Sequence, residues 1–194
     1  MEGTTDSVKR NDFPPQNYGI VIKNGEVLRL WSYNSASGGR FVSITEAKAT
    51  SSTQDSTNYV VAATQEQQPS SEIKFIKTHE FAEIFKMQFQ KNDGFKYTLN
   101  ASQDGSITAA EIADSDSVAQ FTYYELDPPN QPYVVLPSTN RSTTAADGKI
   151  YDLYLSSDGA GNMSLKRWNL SSNALPPKAT ALIDPSLLFR VVKP

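Results

Sequence analysis

Residues 94–126 read GFKYTLNASQDGSITAAEIADSDSVAQFTYYEL, and their pattern decides the fold class. Tyr97 and Leu99 alternate with Lys96 and Thr98. The turn Gln103-Asp104-Gly105 follows, and Ile107 and Ala109 resume the alternation. A polar run of Asp and Ser comes next, and Phe121 opens an aromatic strand. Successive strand side chains point to opposite faces, so this period of two marks half-buried β-strands.

The same period runs through the rest of the chain. Phe85, Met87 and Phe89 alternate with Lys86, Gln88 and Gln90. Tyr151, Leu153 and Leu155 alternate with Asp152, Tyr154 and Ser156. Ile20 and Ile22 lead into Asn24-Gly25, after which Leu28 and Leu30 resume. An Asn-Gly pair between alternating segments predicts a type I′ hairpin. The one helical suspect, Thr78 to Phe85, is at most a single turn. Short strands separated by turn residues predict an all-β barrel or sandwich.

Three segments share one grammar: an aromatic-led strand, a turn, a short strand of small residues, a polar loop, and a strand built on Phe. The first uses Phe41–Ile44, Tyr59–Ala63 and Ile73–Ile76. The second is the stretch quoted above. The third uses Tyr151–Leu153, Met163–Leu165 and Leu188–Val191. The leading positions 41, 97 and 151 are 56 and 54 residues apart. The unevenness lies in polar loops, where insertions cost little.

This grammar resembles the β-trefoil, over roughly Tyr18 to Lys193. The resemblance implies three four-stranded units forming a six-stranded barrel capped by three hairpins. The lobes would span about 18–77, 78–127 and 128–194, after a polar N-terminal tail of residues 1–17. The second lobe looks closest to fascin-like and lectin-like trefoil units. If Ile20–Ile22 and Val27–Trp31 are both strands, the first lobe has one strand too many. A β-sandwich with Greek-key connections is the architectural alternative.

Composition narrows the function. The chain has 194 residues, no cysteine and one histidine. No disulfide, thiolate nucleophile or thiolate metal site is available. Net charge is −3 with Lys and Arg scattered, so the basic stripe of a nucleic-acid binder is missing. No apolar run spans a bilayer, and the N-terminus lacks the apolar core of a secretory signal. The expectation is a soluble protein, cytoplasmic or secreted without a leader. The sequons at Asn100, Asn140, Asn162 and Asn169 read as chance matches in a Ser/Thr-rich chain.

Motifs for chemistry are weak. His79–Glu83, HEFAE, has Glu where a zinc-protease motif needs its second His. Gly159–Gly161 reads as a hairpin tip, and Asp104-Gly105, Asp147-Gly148 and Asp158-Gly159 as turns. Asp114 and Asp116 form a carboxylate pair in a polar run, with nothing apolar to split their pKa values. The expectation is a protein without catalysis, cofactor or metal.

The aromatics point elsewhere. Trp31 falls on the parity of Arg29, with Tyr33 continuing it, while Leu28 and Leu30 share the other. Trp168 falls with Ser164 and Lys166, and Tyr154 with Asp152. By parity both tryptophans face away from the barrel core. An outward Trp flanked by an Asn is a platform for a sugar, so Trp31, Tyr33, Tyr154, Trp168 and Asn169 are the candidate ligand-binding residues. With the trefoil resemblance, this predicts a carbohydrate-binding, lectin-like module whose partner is a glycan or glycoprotein. The Q-x-W signature of ricin-type lectins is missing: Ile73, Ala119 and Leu187 stand where Gln would. A second reading is a trefoil protease inhibitor, with Arg141 at the tip of a loop over residues 137–149. A third is a cytosolic protein-interaction module, in which Trp31 and Tyr33 anchor a protein partner.

Overall fold

The computed structural model describes residues 21–36, 39–48, 58–66, 68–92, 94–111, 118–126, 133–168 and 184–194. Among them the regular structure is all β, apart from single 3₁₀ turns at Pro69–Ser71 and Pro185–Leu187. The strands are β1 Glu26–Ser32, β2 Phe41–Lys48, β3 Asn58–Gln65, β4 Ile73–Lys77, β5 Phe85–Lys91, β6 Gly94–Ala101 and β7 Ile107–Ala110. They continue as β8 Tyr124–Glu125, β9 Val134–Val135, β10 Pro137–Thr144, β11 Ile150–Ser157, β12 Met163–Arg167 and β13 Phe189–Val192.

Seven strands close into an antiparallel barrel, in the order β1, β2, β3, β7, β6, β5, β4 and back to β1. Trp31 opposite Phe41 makes one side of the closure, and Glu26–Leu28 opposite Phe75–Ile73 the other. Closure removes the open sheet edges that the sandwich alternative would leave. A second circuit of pairings leaves β1 on its other side. β1 pairs β13, and β13 meets β9 at Phe189 and Val134. The chain runs on into β10, where Ser138 bridges Phe121, and Phe121 bridges Phe85 at the start of β5. From β5 the circuit returns through β4 to β1.

Three hairpins, β2–β3, β6–β7 and β11–β12, meet one another pairwise. β3 pairs β7, Ala62 bridges Asn162, and Ser106 bridges Ser164. The alternation read in the sequence fills the interior: Phe85, Met87 and Phe89 of β5 are buried, and the residues between them are half-buried. With Leu28, Leu30 and Phe189 they belong to one continuous apolar core. Burying each such side chain contributes about 1.5–3 kcal/mol.

Two local expectations are corrected. The Asn24-Gly25 turn exists, closed by the Glu26 N–H donating to the Lys23 carbonyl (3.1 Å), but residues 21–23 are not a strand. No hairpin arm therefore precedes β1 among the described residues, and the first lobe has four strands there, not five. Residues 78–84 make no helical turn; they bend between β4 and β5.

Candidate functional site

The sequence-predicted site residues do not form one exposed platform. Parity places Trp31 correctly outside the main core, yet it is only 1% exposed. It packs with Phe41 and Val192, and Tyr133 stacks on it at 6.4 Å between centroids. The Arg40 guanidinium also lies over Trp31, 5.0 Å from the ring centre. Trp168 is 9% exposed and Tyr154 2%. These two meet edge to face at 6.5 Å inside a separate apolar cluster with Leu126, Val135 and Leu187. Facing away from a barrel interior is thus not facing solvent, because β9 and the segment around β13 form a layer outside. Burial also pushes the Tyr154 phenol well above the usual range, with the Asp152 charge adding to it. Of the described candidates, only Tyr33 stays open, 42% exposed and edge-on to Tyr133 at 5.1 Å. Asn169 lies outside the described residues, as do Asp114 and Asp116.

Arg141 is a further correction. Residues 137–144 form strand β10, not a projecting loop. The Arg141 side chain is buried, donating from Nε to the Ala101 carbonyl (3.2 Å) and from Nη1 to the Asn140 carbonyl (2.9 Å). The tip of the β10–β11 connection is the Asp147-Gly148 turn, six residues further on.

The structure instead builds a cleft where the β6–β7 turn docks against the sheet β10–β11–β12. Its volume is about 420 Å³. On one side stand Gln103 and Asp104. Asp104 is locked into its turn. Its Oδ1 accepts from the Ser102 hydroxyl and from the Ser106 N–H (2.9 Å). The Ser102 hydrogen bond is the largest cause, with those from Ser106, that holds its carboxyl at a pKa of about 2. Gly105 seats the turn on β12: its carbonyl accepts from the Leu165 N–H at 2.7 Å. Its φ is +88°, and a Cβ there would lie 2.3 Å from the Leu165 carbonyl oxygen. Only glycine satisfies both conditions.

The other side comes from register. Thr143 opposes Tyr151, and Arg167 opposes Leu153. Residues opposite in register, and those two apart along a strand, share a face. Thr143, Tyr151, Leu153, Leu165 and Arg167 therefore lie on one face, buried at Leu153 and Leu165 and opening toward the cleft at Thr143 and Arg167. The Arg167 guanidinium sits 4.4 Å from the Tyr151 ring centre, which fixes it by cation–π attraction. Lys166 also lines the cleft, its ammonium bound to Asp184 at 2.7 Å. The Arg167 side chain makes no hydrogen bond or ion pair with the described residues.

Reading along the sequence missed this site because its parts lie in four separate segments. One local sign existed: Arg167 continues the apolar parity of Met163 and Leu165. Among the described residues no group of three or more His, Asp or Glu is placed to hold a metal ion. No described helix is long and apolar enough to cross a membrane. No protein-family model matches the chain, and no curated protein matches it significantly.

Proposed function

We propose that this chain is a β-trefoil that binds carbohydrate without catalysis, and that the cleft between the Asp104 turn and β10–β12 is its binding site. The trefoil reading is supported by the second circuit of pairings, through β1, β4, β5, the Phe121 bridge, β9–β10 and β13, which has six members. Three hairpins in mutual contact agree with a threefold cap. The spacing of the three lobes in sequence agrees too.

The observation that carries the binding reading is the chemistry of the cleft. A locked carboxylate, an amide, a hydroxyl and a guanidinium held over an aromatic ring surround an apolar floor of Leu153 and Leu165. Sugars present alternating hydroxyls and C–H faces, and mixed linings of this kind meet both. Among the described residues that line the cleft, Asp104 is the one carboxylate. Glycoside hydrolysis ordinarily uses two, one of them protonated at working pH. A lone carboxylate with a pKa of about 2 suits hydrogen-bond acceptance and not proton donation.

The test is a glycan array probed with the labelled full chain, with the double variant Gln103→Ala/Asp104→Ala and Tyr33→Ala run in parallel. Binding lost in the double variant and kept in Tyr33→Ala is the expected result. Loss only in Tyr33→Ala would shift the site to the Tyr33–Tyr133 surface. That surface supports the second reading, a protein partner, because Tyr33, Tyr133 and Arg40 are of the residue types that anchor interfaces.

A further inference from the structure

We propose that the ligand of this cleft is an acidic saccharide, with a sugar carboxylate on Arg167 and ring hydroxyls on Asp104. The inference rests on the reading of the cleft as a saccharide site and adds the charge and orientation of the sugar.

The argument starts from the cations. Two line the cleft, Lys166 and Arg167. Lys166 already has its counter-charge in Asp184, 2.7 Å away. Asp184 in turn accepts from the backbone N–H (3.0 Å) and hydroxyl (2.8 Å) of Ser186, so its oxygens are committed. Asp104 is committed through Oδ1 to its own turn. Neither carboxylate makes an ion pair with Arg167. The guanidinium carbon lies over the Tyr151 ring, 4.4 Å from its centre, and no side chain among the described residues takes its N–H donors. A positioned guanidinium whose donors no described carboxylate takes is the group that pairs a planar carboxylate through two parallel hydrogen bonds.

Asp104 fixes the direction. Its charge persists to strongly acidic pH, so a ligand carboxylate is repelled from the Gln103–Asp104 wall and drawn to Arg167. Hydroxyls, which donate, suit the Asp104 wall. Thr143 and Gln103 add a donor and an acceptor each between these poles. A volume of about 420 Å³ suits a sugar residue with part of its neighbour. The ligand that fits this polarity is a hexuronic acid.

The experiment is saturation-transfer NMR on the full chain with three probes for each of galactose and glucose: the methyl glycosides of the neutral sugar, of the uronate and of the 6-sulfate. Wild type, Arg167→Gln, Arg167→Lys and Asp104→Asn are compared, after urea unfolding shows which variants stay folded. The uronates are expected to bind about tenfold or more tighter than the neutral sugars, the return of one charge-assisted pair. That preference should vanish in Arg167→Gln, survive in part in Arg167→Lys, and shrink as salt is raised. Equal binding of neutral and acidic sugars, unmoved by Arg167→Gln, overturns the inference and leaves the carbohydrate reading standing. Preference for the sulfates overturns the carboxylate assignment. Absence of binding to all probes, with an empty glycan array, overturns both.

Discussion

Two glycine substitutions test whether the Asp104 turn is truly seated on β12. Gly105 and Gly148 hold similar backbone conformations, with φ of +88° and +80°. An alanine pays a conformational penalty of about 1–2 kcal/mol in this region, whatever surrounds it. Around Gly148 nothing lies within 4 Å of a new Cβ, so Gly148→Ala should cost only that. At Gly105 the Cβ would stand 2.3 Å from the Leu165 carbonyl oxygen, roughly 1 Å inside ordinary contact. That oxygen belongs to backbone and cannot swing aside as a side chain would. The turn or β12 must move, and the 2.7 Å bond from the Leu165 N–H to the Gly105 carbonyl is broken or stretched. An unmet buried backbone group costs about 1–3 kcal/mol. Gly105→Ala should therefore cost about 1–3 kcal/mol more than Gly148→Ala. For a chain of this size each kcal/mol lowers Tm by about 2–4 °C. Urea unfolding followed by circular dichroism measures both variants, and equal slopes would confirm that only stability has changed. Equal losses in the two variants would refute the reasoning, because the turn would then not be pressed on β12 and the cleft would lack its fixed wall.

Two further outcomes follow from the geometry. Both tryptophans are buried, so their fluorescence should be blue-shifted and resist iodide until the chain unfolds; ready quenching of the folded chain would contradict the covering layer of Tyr133 over Trp31 and of Tyr154 against Trp168. Ser102→Ala removes the largest cause of the low Asp104 pKa, so its carboxyl should titrate closer to 3.8, followed by carboxyl NMR. The sign of the linked stability follows. A depressed native pKa stabilises above the unfolded value and loses that contribution as pH falls through the native one. The gap between wild type and Ser102→Ala should therefore narrow between about pH 4 and pH 2; a gap that widens on acidification would be inconsistent with the assigned hydrogen bond.

The strand content was legible because burial in a barrel follows parity. Phe85, Met87 and Phe89 alternate in sequence and alternate in burial, and Asp104-Gly105 turns where its composition says it should. Strand β10 was not legible. PSTNRSTT carries no apolar alternation, and it becomes a strand through its pairing with β11 and its bridge at Ser138 to Phe121. Arg141 is buried there because two backbone carbonyls take its donors, Ala101 lying 40 residues away. The tryptophans show the same limit. Parity gives the face of the strand on which Trp31 lies, but the side chain that covers it, Tyr133, comes from a distant part of the chain.

The candidate site was hidden for a related reason, and one residue shows how far a single strand can be read. Gln103, Thr143, Tyr151 and Arg167 are ordinary in their own segments. The register of β10, β11 and β12 brings Thr143, Tyr151 and Arg167 together, and Gln103 joins them because Ser106 bridges Ser164 and the Gly105 carbonyl receives the Leu165 N–H. Yet Arg167 sits on the parity of Met163 and Leu165, where continued alternation calls for an apolar side chain. A charge at such a position must either find a partner inside the protein or stand where the core opens. Tyr151 supplies a flat face and no counter-charge, and Thr143 and Leu153 bound the opening. The break in the pattern at Arg167 is therefore the point at which core becomes cleft, and it is the residue on which the charge of the proposed ligand turns.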